Sequence, residues 1–511
     1  MNIAELVRYW ARWRPEHSAI IHDDVHVSWA ELDARSDAIA RGLRSAGVAK
    51  GDRVGLLMTN RVEAPLVTIA CLKLGAIFVP LNFRLTGAEL FPLLEDADCS
   101  LVVTEAALQA QLEVASRTLP FVTYVIGSND ARAFDDLVVD HGPVPVEAIA
   151  LSEPGFICYT SGTTGQQKGA LLTHGSAIYP GLAKNLAEGL TWRDKILVAV
   201  PYVFTGALIS CFIQFTVVAG GTMVLESDFN IDRYLQVIEK HRVSVATTVP
   251  VIWERLMRSP DFEKADISSM ISAAAGGAPV SVDLIEAYKA KGIAMIQSYG
   301  LTEASGLVGT MHSEDAMKRI GWAGRAIMGT EFRIADGEGN TLPLGETGEI
   351  LVKGPHVMQG YWRKPEVTAQ TVVDGWLRTG DVGMMDDEGF IKIMDRAKDM
   401  LISGGINVYP AEIEKALAGV PGIRELAVIG VPDKDWGEVP MIIAHGVTDG
   451  VAVASAIEAE GGVSLAKFKR PKSIVFMDEP LPRTLSGKVS KPALRQMFPQ
   501  VPEGARRLFA A

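Results

Sequence analysis

Short apolar runs alternate with helix-like segments along the first 330 residues of the chain. The runs at 53–58 and 76–82 are typical of strands buried on both faces, and the segment between them has the length and composition of a helix. Ser28 and Glu31 have the spacing of a capping box, and the apolar positions of 32–43 fall on one helix face. This alternation predicts an α/β fold in which helices cover mainly parallel sheets.

One stretch is apolar enough to raise the question of a membrane. Residues 196–225 contain no charged side chain, and a stretch of this length could cross a bilayer. It is interrupted at Pro201, Gly206, Gln214 and the pair Gly220-Gly221. We therefore predict a buried strand, an apolar helix over 206–219 and a second buried strand, with membrane contact as the alternative. A helix this apolar could also form the wall of an apolar pocket.

The pattern changes after residue 332, where short strands are separated by Gly and Asn turns, and an antiparallel unit is expected. After Arg396 a smaller unit is predicted, with helices at 410–420 and 452–462. The last residues, 499–511, resemble a loose tail.

Length, charge and cysteine content narrow the class of protein. At roughly 150 residues per domain, the 511 residues predict about three structural units. The 49 Lys and Arg against 61 Asp and Glu give a net charge of −12, which argues against a general affinity for nucleic acid or anionic membrane. The four cysteines are far apart and form no C-x-x-C pair, so neither a disulfide scaffold nor structural zinc is expected. The chain starts without a signal-peptide pattern, and a cytoplasmic location is expected.

A loop with the composition of a phosphate cradle follows an apolar strand. Residues 159–169 hold four Ser and Thr side chains, three glycines and Lys168. Glycines allow backbone N–H groups to close on oxyanions, hydroxyls donate hydrogen bonds, and the lysine adds positive charge. The loop differs from G-x-x-x-x-G-K-[ST], because Lys168 lies three residues after Gly165 and no hydroxyl follows it. A polar surface turn is the alternative.

Two further motifs suit a nucleotide, although each is weak alone. Residues 297–303 follow a strand and contain Tyr299, a flat face for a base, and Glu303, a carboxylate that could hold Mg²⁺ beside phosphates. A turn that caps the next helix explains them equally well. In 375–381, Asp381 follows a Thr-Gly turn and could accept two ribose hydroxyls, or it could lie in a solvated β-turn.

Two motifs near the C-terminus complete the set: 395–405, DRAKDMLISGG, and 482–488, PRTLSGK. By itself, Lys488 would be an ordinary solvated lysine. Together and in this order, the five motifs resemble those of the adenylate-forming superfamily, which contains acyl-CoA synthetases, peptide-synthetase adenylation domains and firefly-type luciferases. The resemblance covers essentially the whole chain. The family usually has proline before the lysine of the phosphate loop, where this chain has Gln167.

The resemblance implies a fold and a domain organisation. A large N-terminal body at 1–394 would contain two mainly parallel α/β sheets, with a small β-barrel near 330–394. A hinge at 395–399 would join it to a smaller α+β lid at 400–511. Lys398 lies at the family's hinge position, and an exposed linker lysine is the alternative there.

The resemblance also implies a reaction in two steps, with ATP, Mg²⁺ and coenzyme A as cofactors. In the first step a carboxylate attacks the α-phosphorus of ATP, giving an acyl-adenylate and pyrophosphate. In the second step a thiol, usually that of CoA, displaces AMP and leaves a thioester.

Site residues carry over position by position. Lys488 would bridge the substrate carboxylate and the α-phosphate, Lys168 would hold the outer phosphates, and Glu303 and Thr163 would act in catalysis as the Mg²⁺ site. The residues implied for ATP and AMP are Thr160, Ser161, Gly162, Thr164, Gly165, Gly276, Gly277, Ala278, Pro279, Tyr299, Gly300, Thr302, Asp381 and Arg396.

The implied CoA site lies in the lid. Gly404 and Gly405 lack side chains, so a thin pantetheine arm could pass close to the backbone. Trp436, Phe468 and Arg470 resemble family positions that meet CoA. The basic cluster at 467–472 suits an anionic cofactor, and a solvated basic turn is the alternative.

The implied acyl pocket includes Phe204, Ser298 and Gly306. The family often has histidine where Phe204 stands, which puts a histidine-assisted step in doubt and could mark an aromatic gate. Peptide-synthetase domains have an aspartate in this vicinity, and dicarboxylate ligases have an arginine near the acyl tail; this chain has neither. A second charge on the substrate would therefore be buried unpaired, so an apolar fatty, aryl or alicyclic acid is expected.

The sequence thus predicts an ATP-dependent, AMP-forming ligase that joins an apolar monocarboxylic acid to CoA. Transfer of the acyl group to a carrier protein, oxidation of the acyl group, and a non-catalytic nucleotide-binding relative are the alternatives. Neither a nucleic-acid partner nor an integral membrane segment is expected, and a homodimer is left open.

Overall fold

The computed structural model describes residues 1–128, 132–139, 142–160, 167–248, 250–276, 280–316, 318–396, 399–403, 406–434, 436–465, 467–484 and 488–509. Its helices are α1 (Ile3–Trp13), α2 (Trp29–Ser45), α3 (Glu63–Lys73), α4 (Gly87–Ala97), α5 (Glu113–Thr118), α6 (His174–Glu188), α7 (Ile231–His241), α8 (Pro250–Met257), α9 (Val282–Ala290), α10 (Ser313–Ala316), α11 (Pro365–Thr371), α12 (Pro410–Leu417), α13 (Gly450–Ser464) and α14 (Lys491–Met497). A π-helix spans Gly206–Val217, and 3₁₀ turns span Ala106–Leu112, Phe134–Leu137, Thr302–Ala304 and Lys467–Lys469.

The strands are β1 (Ser18–His22), β2 (Val25–Ser28), β3 (Arg53–Leu57), β4 (Ile77–Pro80), β5 (Leu101–Glu105), β6 (Val122–Ile126), β7 (Pro154–Thr160), β8 (Lys168–Thr173), β9 (Lys195–Val198), β10 (Thr222–Leu225), β11 (Val245–Thr248), β12 (Ser272–Gly276), β13 (Ala294–Tyr299), β14 (Gly309–Thr310), β15 (Arg325–Ala326), β16 (Glu331–Ala335), β17 (Gly348–Lys353), β18 (Gly360–Tyr361), β19 (Val372–Val373), β20 (Trp376–Met385), β21 (Ile391–Arg396), β22 (Leu401–Ser403), β23 (Ile406–Val408), β24 (Glu425–Asp433), β25 (Gly437–His445), β26 (Ser473–Met477) and β27 (Arg506–Arg507).

The chain divides into two compact units. Unit 1 comprises Met1–Arg333, Leu351–Thr379 and Asp387–Ile391, and unit 2 comprises Ile334–Ile350, Gly380–Asp386 and Lys392–Ala511. The α/β fold with a separate C-terminal domain is confirmed. A hinge at 395–399 stays a prediction.

Unit 1 holds two large sheets among its described residues. One has nine strands in the order β15-β14-β13-β12-β11-β9-β10-β1-β2. Its six strands from β13 to β1 in this order are parallel to one another. At the edges, β2 pairs antiparallel with β1, β14 with β13, and β15 with β14. The other has seven strands in the order β18-β8-β7-β4-β3-β5-β6, with β8 and β18 antiparallel. The predicted strands at 53–58 and 76–82 are the neighbours β3 and β4 of this second sheet.

Local signals near the N-terminus are realised as predicted. Glu31 N donates to Ser28 Oγ at 3.2 Å, and Ser28 N donates to Glu31 Oε2 at 2.7 Å, so the capping box is formed. The helix it starts, α2, buries Leu32, Ile39 and Leu43 on one face.

The uncharged stretch folds as a buried strand, helix and strand, with the π-helix between β9 and β10. Most side chains of the π-helix are buried, as predicted for an apolar helix. Of the described helices, none combines the length and apolar character needed to cross a membrane.

A smaller sheet is formed by residues 331–396, in the order β16-β17-β20-β19 with β21 on β20. Its closure into a barrel stays a prediction. In unit 2, a mainly antiparallel sheet has the order β23-β22-β25-β26-β27, with β24 also paired to β25.

The loose tail predicted for 499–511 is wrong for its described residues. Strand β27 pairs with β26, Leu508 is buried, and Phe509 N donates to Glu458 Oε1 at 2.6 Å. Leu508 belongs to the apolar core beneath α12 and α13, and burying this side chain anchors the segment.

Candidate active site

Three side chains from two distant segments of unit 1 lie near the carboxylate of Glu303. Glu303 lies in the 3₁₀ turn that follows β13. Its Oε1 accepts a hydrogen bond from Tyr361 Oη at 2.9 Å and a longer one from Thr160 Oγ1 at 3.4 Å. The Lys168 ammonium lies 5.3 Å from the centroid of the Tyr361 ring. We call Thr160, Lys168, Glu303 and Tyr361 the Glu303 cluster.

The strand pair β7–β8 explains how the phosphate loop reaches this cluster. Thr160 ends β7 and Lys168 begins β8, and the two residues are directly paired in the antiparallel ladder. The loop that joins them therefore starts and ends within the cluster. Its predicted phosphate and metal ligands, Ser161, Gly162, Thr163, Thr164 and Gly165, lie outside the described residues.

The segment 300–306, which we call the Glu303 loop, has a tightly constrained backbone. A Cβ on Gly300 would overlap the carbonyl oxygen of Gly306, so only glycine fits there. Gly306 has φ of +90°. The Glu303 carbonyl accepts a hydrogen bond from Met358 N at 2.8 Å. These contacts hold the loop backbone in one conformation and join it to the segment that precedes β18.

The predicted adenine side lies at the carboxyl ends of β12 and β13. Gly276 and Ser298 are paired in the parallel ladder, and Tyr299 follows at the end of β13. The Tyr299 ring is 5% exposed and lies 6.4 Å from the Phe332 ring. Gly277, Ala278 and Pro279 lie outside the described residues.

The predicted acyl residues lie close to the same loop. Phe204 is half-buried just before the π-helix. Its neighbour Thr205 shares a hydrogen bond with Thr302, with 3.1 Å between the hydroxyl oxygens. A Cβ on Gly306 would lie 2.5 Å from Ser210 Oγ, so the π-helix touches the Glu303 loop directly.

The described part of the chain contains no group of three or more His, Cys, Asp or Glu side chains at metal-binding distance. Glu303 could hold a divalent cation only together with other oxygen ligands, such as hydroxyls, water and substrate phosphates. That is how Mg²⁺ usually binds beside ATP. Cys158, near the end of β7, is no nucleophile, because burial raises the pKa of its thiol to about 12.

In unit 2, Asp381 is buried on β20. The adjacent Gly380 N donates to Glu349 Oε1 at 3.1 Å. Lys488 is exposed, and its carbonyl accepts a hydrogen bond from Thr484 N at 2.6 Å. The side chains of Arg396 and Phe468 and the whole of Lys398, Gly404 and Gly405 lie outside the described residues.

Two predicted CoA residues already have contacts within unit 2. The guanidinium of Arg470 donates to Leu465 O at 3.0 Å and to Gly462 O at 2.7 Å, which places a cation at the C-terminal end of α13. Trp436 is 39% exposed, and the Lys472 ammonium lies 5.2 Å from its ring. An exposed indole beside a lysine could receive a base and a phosphate.

The family follows from sequence comparison. A family model described as AMP-binding enzyme matches residues 7–362, and one described as AMP-binding enzyme C-terminal domain matches residues 412–488. The chain belongs to the AMP-binding enzyme family. The resemblance to adenylate-forming enzymes is thereby confirmed.

Relatives of this AMP-binding enzyme align over nearly its full length. Feruloyl-CoA synthase from Amycolatopsis sp is 38% identical, covering 96% of this chain and 97% of the relative. Long-chain-fatty-acid–CoA ligase FadD13 from Mycobacterium tuberculosis is 36% identical, covering 97% and 98%. The structure of o-succinylbenzoate coenzyme A synthetase (MenE) from Bacillus subtilis with ATP and magnesium ion has a TM-score of 0.85 at 31% identity, covering 96% of this chain and 99% of that one.

Tyr361 is the residue of this AMP-binding enzyme's cluster that the motif analysis missed. Strand β18 places it beside β8. The residues that follow are held by Asp96: its main-chain carbonyl accepts from Trp362 Nε1 at 3.0 Å, and its carboxylate pairs with Lys364 Nζ at 3.0 Å. Tyr159 Oη also donates to Asp96 Oδ2 at 2.8 Å. Gly360 was a weak signal, because a glycine within a strand often marks a close approach of the backbone, but it does not indicate that Tyr361 reaches Glu303.

Proposed function

We propose that this chain is an ATP-dependent, AMP-forming ligase that joins a carboxylic acid to CoA through an acyl-adenylate. The family and the CoA-ligase names of its full-length relatives support this function. The observation that carries it is the Glu303 cluster. There, the two ends of a Gly- and Thr-rich loop meet a carboxylate next to the apolar π-helix. Nucleotide phosphates, cation and acyl group would thus converge on one edge of unit 1.

The proposed chemistry suits these residues. The substrate carboxylate is already ionised at neutral pH, so the first step needs no general base. One of its oxygens bonds to the α-phosphorus, and the bond to pyrophosphate breaks. Catalysis then depends on stabilising charge on the phosphate oxygens. Lys168 would provide this stabilisation for the outer phosphates and Lys488 for the α-phosphate.

The remaining roles follow the family positions. Mg²⁺ would bind to Glu303 and Thr163 and neutralise phosphate charge, as the ATP and magnesium complex of the MenE relative supports. Asp381 and Arg396 would bind the ribose, and Tyr299 with 276–279 would bind the adenine. In the second step the thiol sulfur bonds to the acyl carbon and AMP leaves.

We extend the proposal to the domains and the location. Residues 1–394 would form the body, 395–399 with Lys398 the hinge, and 400–511 a lid that brings CoA through Gly404, Gly405, Trp436, Phe468 and Arg470. A cytoplasmic location is supported by four buried free cysteines.

The acid is proposed to be an apolar monocarboxylic acid. The side chains of the π-helix carry no charge and most are buried, so a second charge on the substrate would lie unpaired against it. The names of the feruloyl-CoA and long-chain fatty acid relatives fit an aryl or fatty acid. Phe204, Ser298 and Gly306 are the proposed contacts.

A pooled reaction tests this function. Purified protein is incubated with ATP, Mg²⁺, CoA and a panel of fatty acids, benzoates, cinnamates, phenylalkanoates, alicyclic acids and amino acids, and mass spectrometry follows thioesters, AMP and ADP. Thioester with AMP is expected for an apolar acid, and a Lys168→Ala variant serves as the inactive control. Acyl-adenylate without thioester would favour a carrier-protein acceptor. ADP as the product would contradict the proposal.

A further inference from the structure

Gln214 is a buried polar side chain in an otherwise apolar helix. It is 2% exposed, yet its Nε2 donates to the Ser305 carbonyl at 2.6 Å. The main-chain carbonyl of Gln214 accepts from Asn185 Nδ2 at 2.7 Å, which holds the helix backbone at this position. A buried amide without a partner would cost several kcal/mol, so the Nε2 bond to Ser305 fixes where the side chain points. It points into the backbone of the Glu303 loop.

Ser305, its acceptor, lies two residues after Glu303 and is held from the opposite side as well. Ser305 Oγ donates to the His356 carbonyl at 3.0 Å, and the side chain is fully buried. Its φ of +54° is an uncommon conformation for a residue with a Cβ. Such a conformation persists where the surroundings hold it in place, and here the π-helix and the segment at 356 hold it together.

The π-helical geometry aligns a row of contacts along this loop. Thr205, Ser210 and Gln214 touch Thr302, Gly306 and Ser305, respectively. Thr205 and Gln214 are 214 − 205 = 9 residues apart. In an α-helix nine residues make about two and a half turns and would place them on opposite faces. With i→i+5 bonding, at ~4.4 residues per turn, nine residues make about two turns and place them on one face.

We propose that Gln214 is a positioning residue that couples acid binding to the placement of Glu303. Through it, the π-helix that lines the acyl pocket is tied to the loop that holds the cation site. An acid that packs against the π-helix then fixes Glu303 for Mg²⁺·ATP, and a poorly fitting acid does not. The inference rests on the proposed function, because it takes the π-helix as the acyl wall and Glu303 as the cation ligand.

The test uses Gln214→Met, which keeps the volume of the side chain and removes its donor. The coupling is the dissociation constant of Mg²⁺ with α,β-methylene ATP in the absence of acid, divided by that constant with saturating acid. We expect acid to tighten nucleotide binding to the native protein about fivefold or more, and the ratio to fall toward one in Gln214→Met. Calorimetry measures it without turnover.

Gln111→Met is the matched control. Gln111 Nε2 also donates to a backbone carbonyl, that of Phe83 at 3.2 Å, but outside the site. It should keep the native coupling ratio. If Gln214→Met does not fold, Thr205→Val removes the neighbouring hydroxyl bond to Thr302 and should lower the ratio in the same direction.

The outcomes separate the inference from the proposed function. If the native protein forms no thioester from any acid, the proposed function fails. If the native protein forms thioester but Gln214→Met keeps the native coupling ratio, only the inference is overturned. A uniform loss of kcat with an unchanged ratio would likewise overturn it, because that is what a purely structural role predicts.

Discussion

At the scale of single residues, Tyr361 links the two charged groups of the Glu303 cluster. Its hydroxyl donates to Glu303 Oε1 at 2.9 Å, and its ring lies below the Lys168 ammonium. Tyr361→Phe keeps the ring and removes the hydroxyl. A hydrogen bond to a charged group contributes about 1.5–3 kcal/mol, so we expect adenylation at limiting Mg²⁺ to fall about tenfold or more. Pyrophosphate release measured against Mg²⁺ concentration checks this.

Tyr179→Phe is the control for that substitution. The Tyr179 hydroxyl donates to the Met328 carbonyl at 3.1 Å, away from the cluster. Its removal should leave the Mg²⁺ dependence unchanged. The same Mg²⁺ dependence in both variants would show that Tyr361 does not position Glu303.

The buried His356 should make the free energy of unfolding depend on pH. It is fully buried, and burial lowers the pKa of its imidazole from 6.5 to about 4. Between pH 6.5 and 4, His356 is therefore mostly protonated in the unfolded chain and mostly neutral in the folded chain. The stabilisation is complete above pH 6.5 and is lost as the pH falls toward 4, by about 2 kcal/mol at pH 5. Urea unfolding at pH 7.5 and 5 measures it.

His356→Asn should make the stability less dependent on pH in that window. Part of the dependence should remain, because burial also lowers the pKa of His174 to about 3. The His174 Nδ1 accepts from Ile3 N at 3.2 Å, so its protonation would disturb the start of α1. An identical pH dependence in native protein and His356→Asn would contradict the assignment.

At the scale of elements, α1, α2 and α3 are joined by a buried ion cluster. Lys73 on α3 is fully buried, and its ammonium lies 2.6 Å from Asp33 Oδ1 and 2.7 Å from Asp37 Oδ1 on α2. Arg8 on α1 contacts the same Asp37 carboxylate at 3.1 Å. Lys73→Met leaves Asp33 and Asp37 with only the partly exposed Arg8 guanidinium as a counter-charge, so we expect a loss of about 3 kcal/mol. Urea unfolding of the native protein and of Lys73→Met measures this difference in the free energy of unfolding.

Lys240→Met provides the comparison for Lys73→Met. Lys240 pairs with a carboxylate at 2.5 Å, but both side chains are more than half exposed. Water screens such an exposed pair, so Lys240→Met should cost much less stability than Lys73→Met. Equal losses in the two variants would show that burial does not set the strength of the α1–α3 cluster.

The uncharged stretch shows which features of an element the hydrophobic pattern determines. The interruptions within it predicted a buried helix between two strands, with membrane contact as the alternative. The pattern did not predict the π form, since a helix apolar on all faces has no periodicity from which a pitch could be read. Gln214 was therefore taken as an interruption, whereas in the structure it is the contact with the Glu303 loop.

At the scale of the whole molecule, the site depends on contacts between distant segments. Thr160 and Glu303 are 143 residues apart, and both were predicted because each belongs to a motif that follows a strand. Tyr361 was missed because its position depends on the antiparallel pairing of β18 with β8, which no local pattern specifies. Leu508 was missed for a related reason: the adjacent apolar residues Leu508 and Phe509 are too few to show a periodicity, yet Leu508 completes the core under α12 and α13.

The two half-reactions differ in what they require of the whole chain, and Lys488 should distinguish them. Its side chain is exposed, so Lys488→Ala removes a charge without disturbing a core. If Lys488 stabilises charge on the α-phosphate, pyrophosphate release should fall about 10²-fold or more, whereas thioester formation from supplied acyl-adenylate and CoA should largely survive. The exposed Lys415 on α12 provides the control variant Lys415→Ala, which should affect neither step. An equal loss in both half-reactions would instead place Lys488 in a step common to both, because a group that acts only on the α-phosphate has no role once the adenylate is formed.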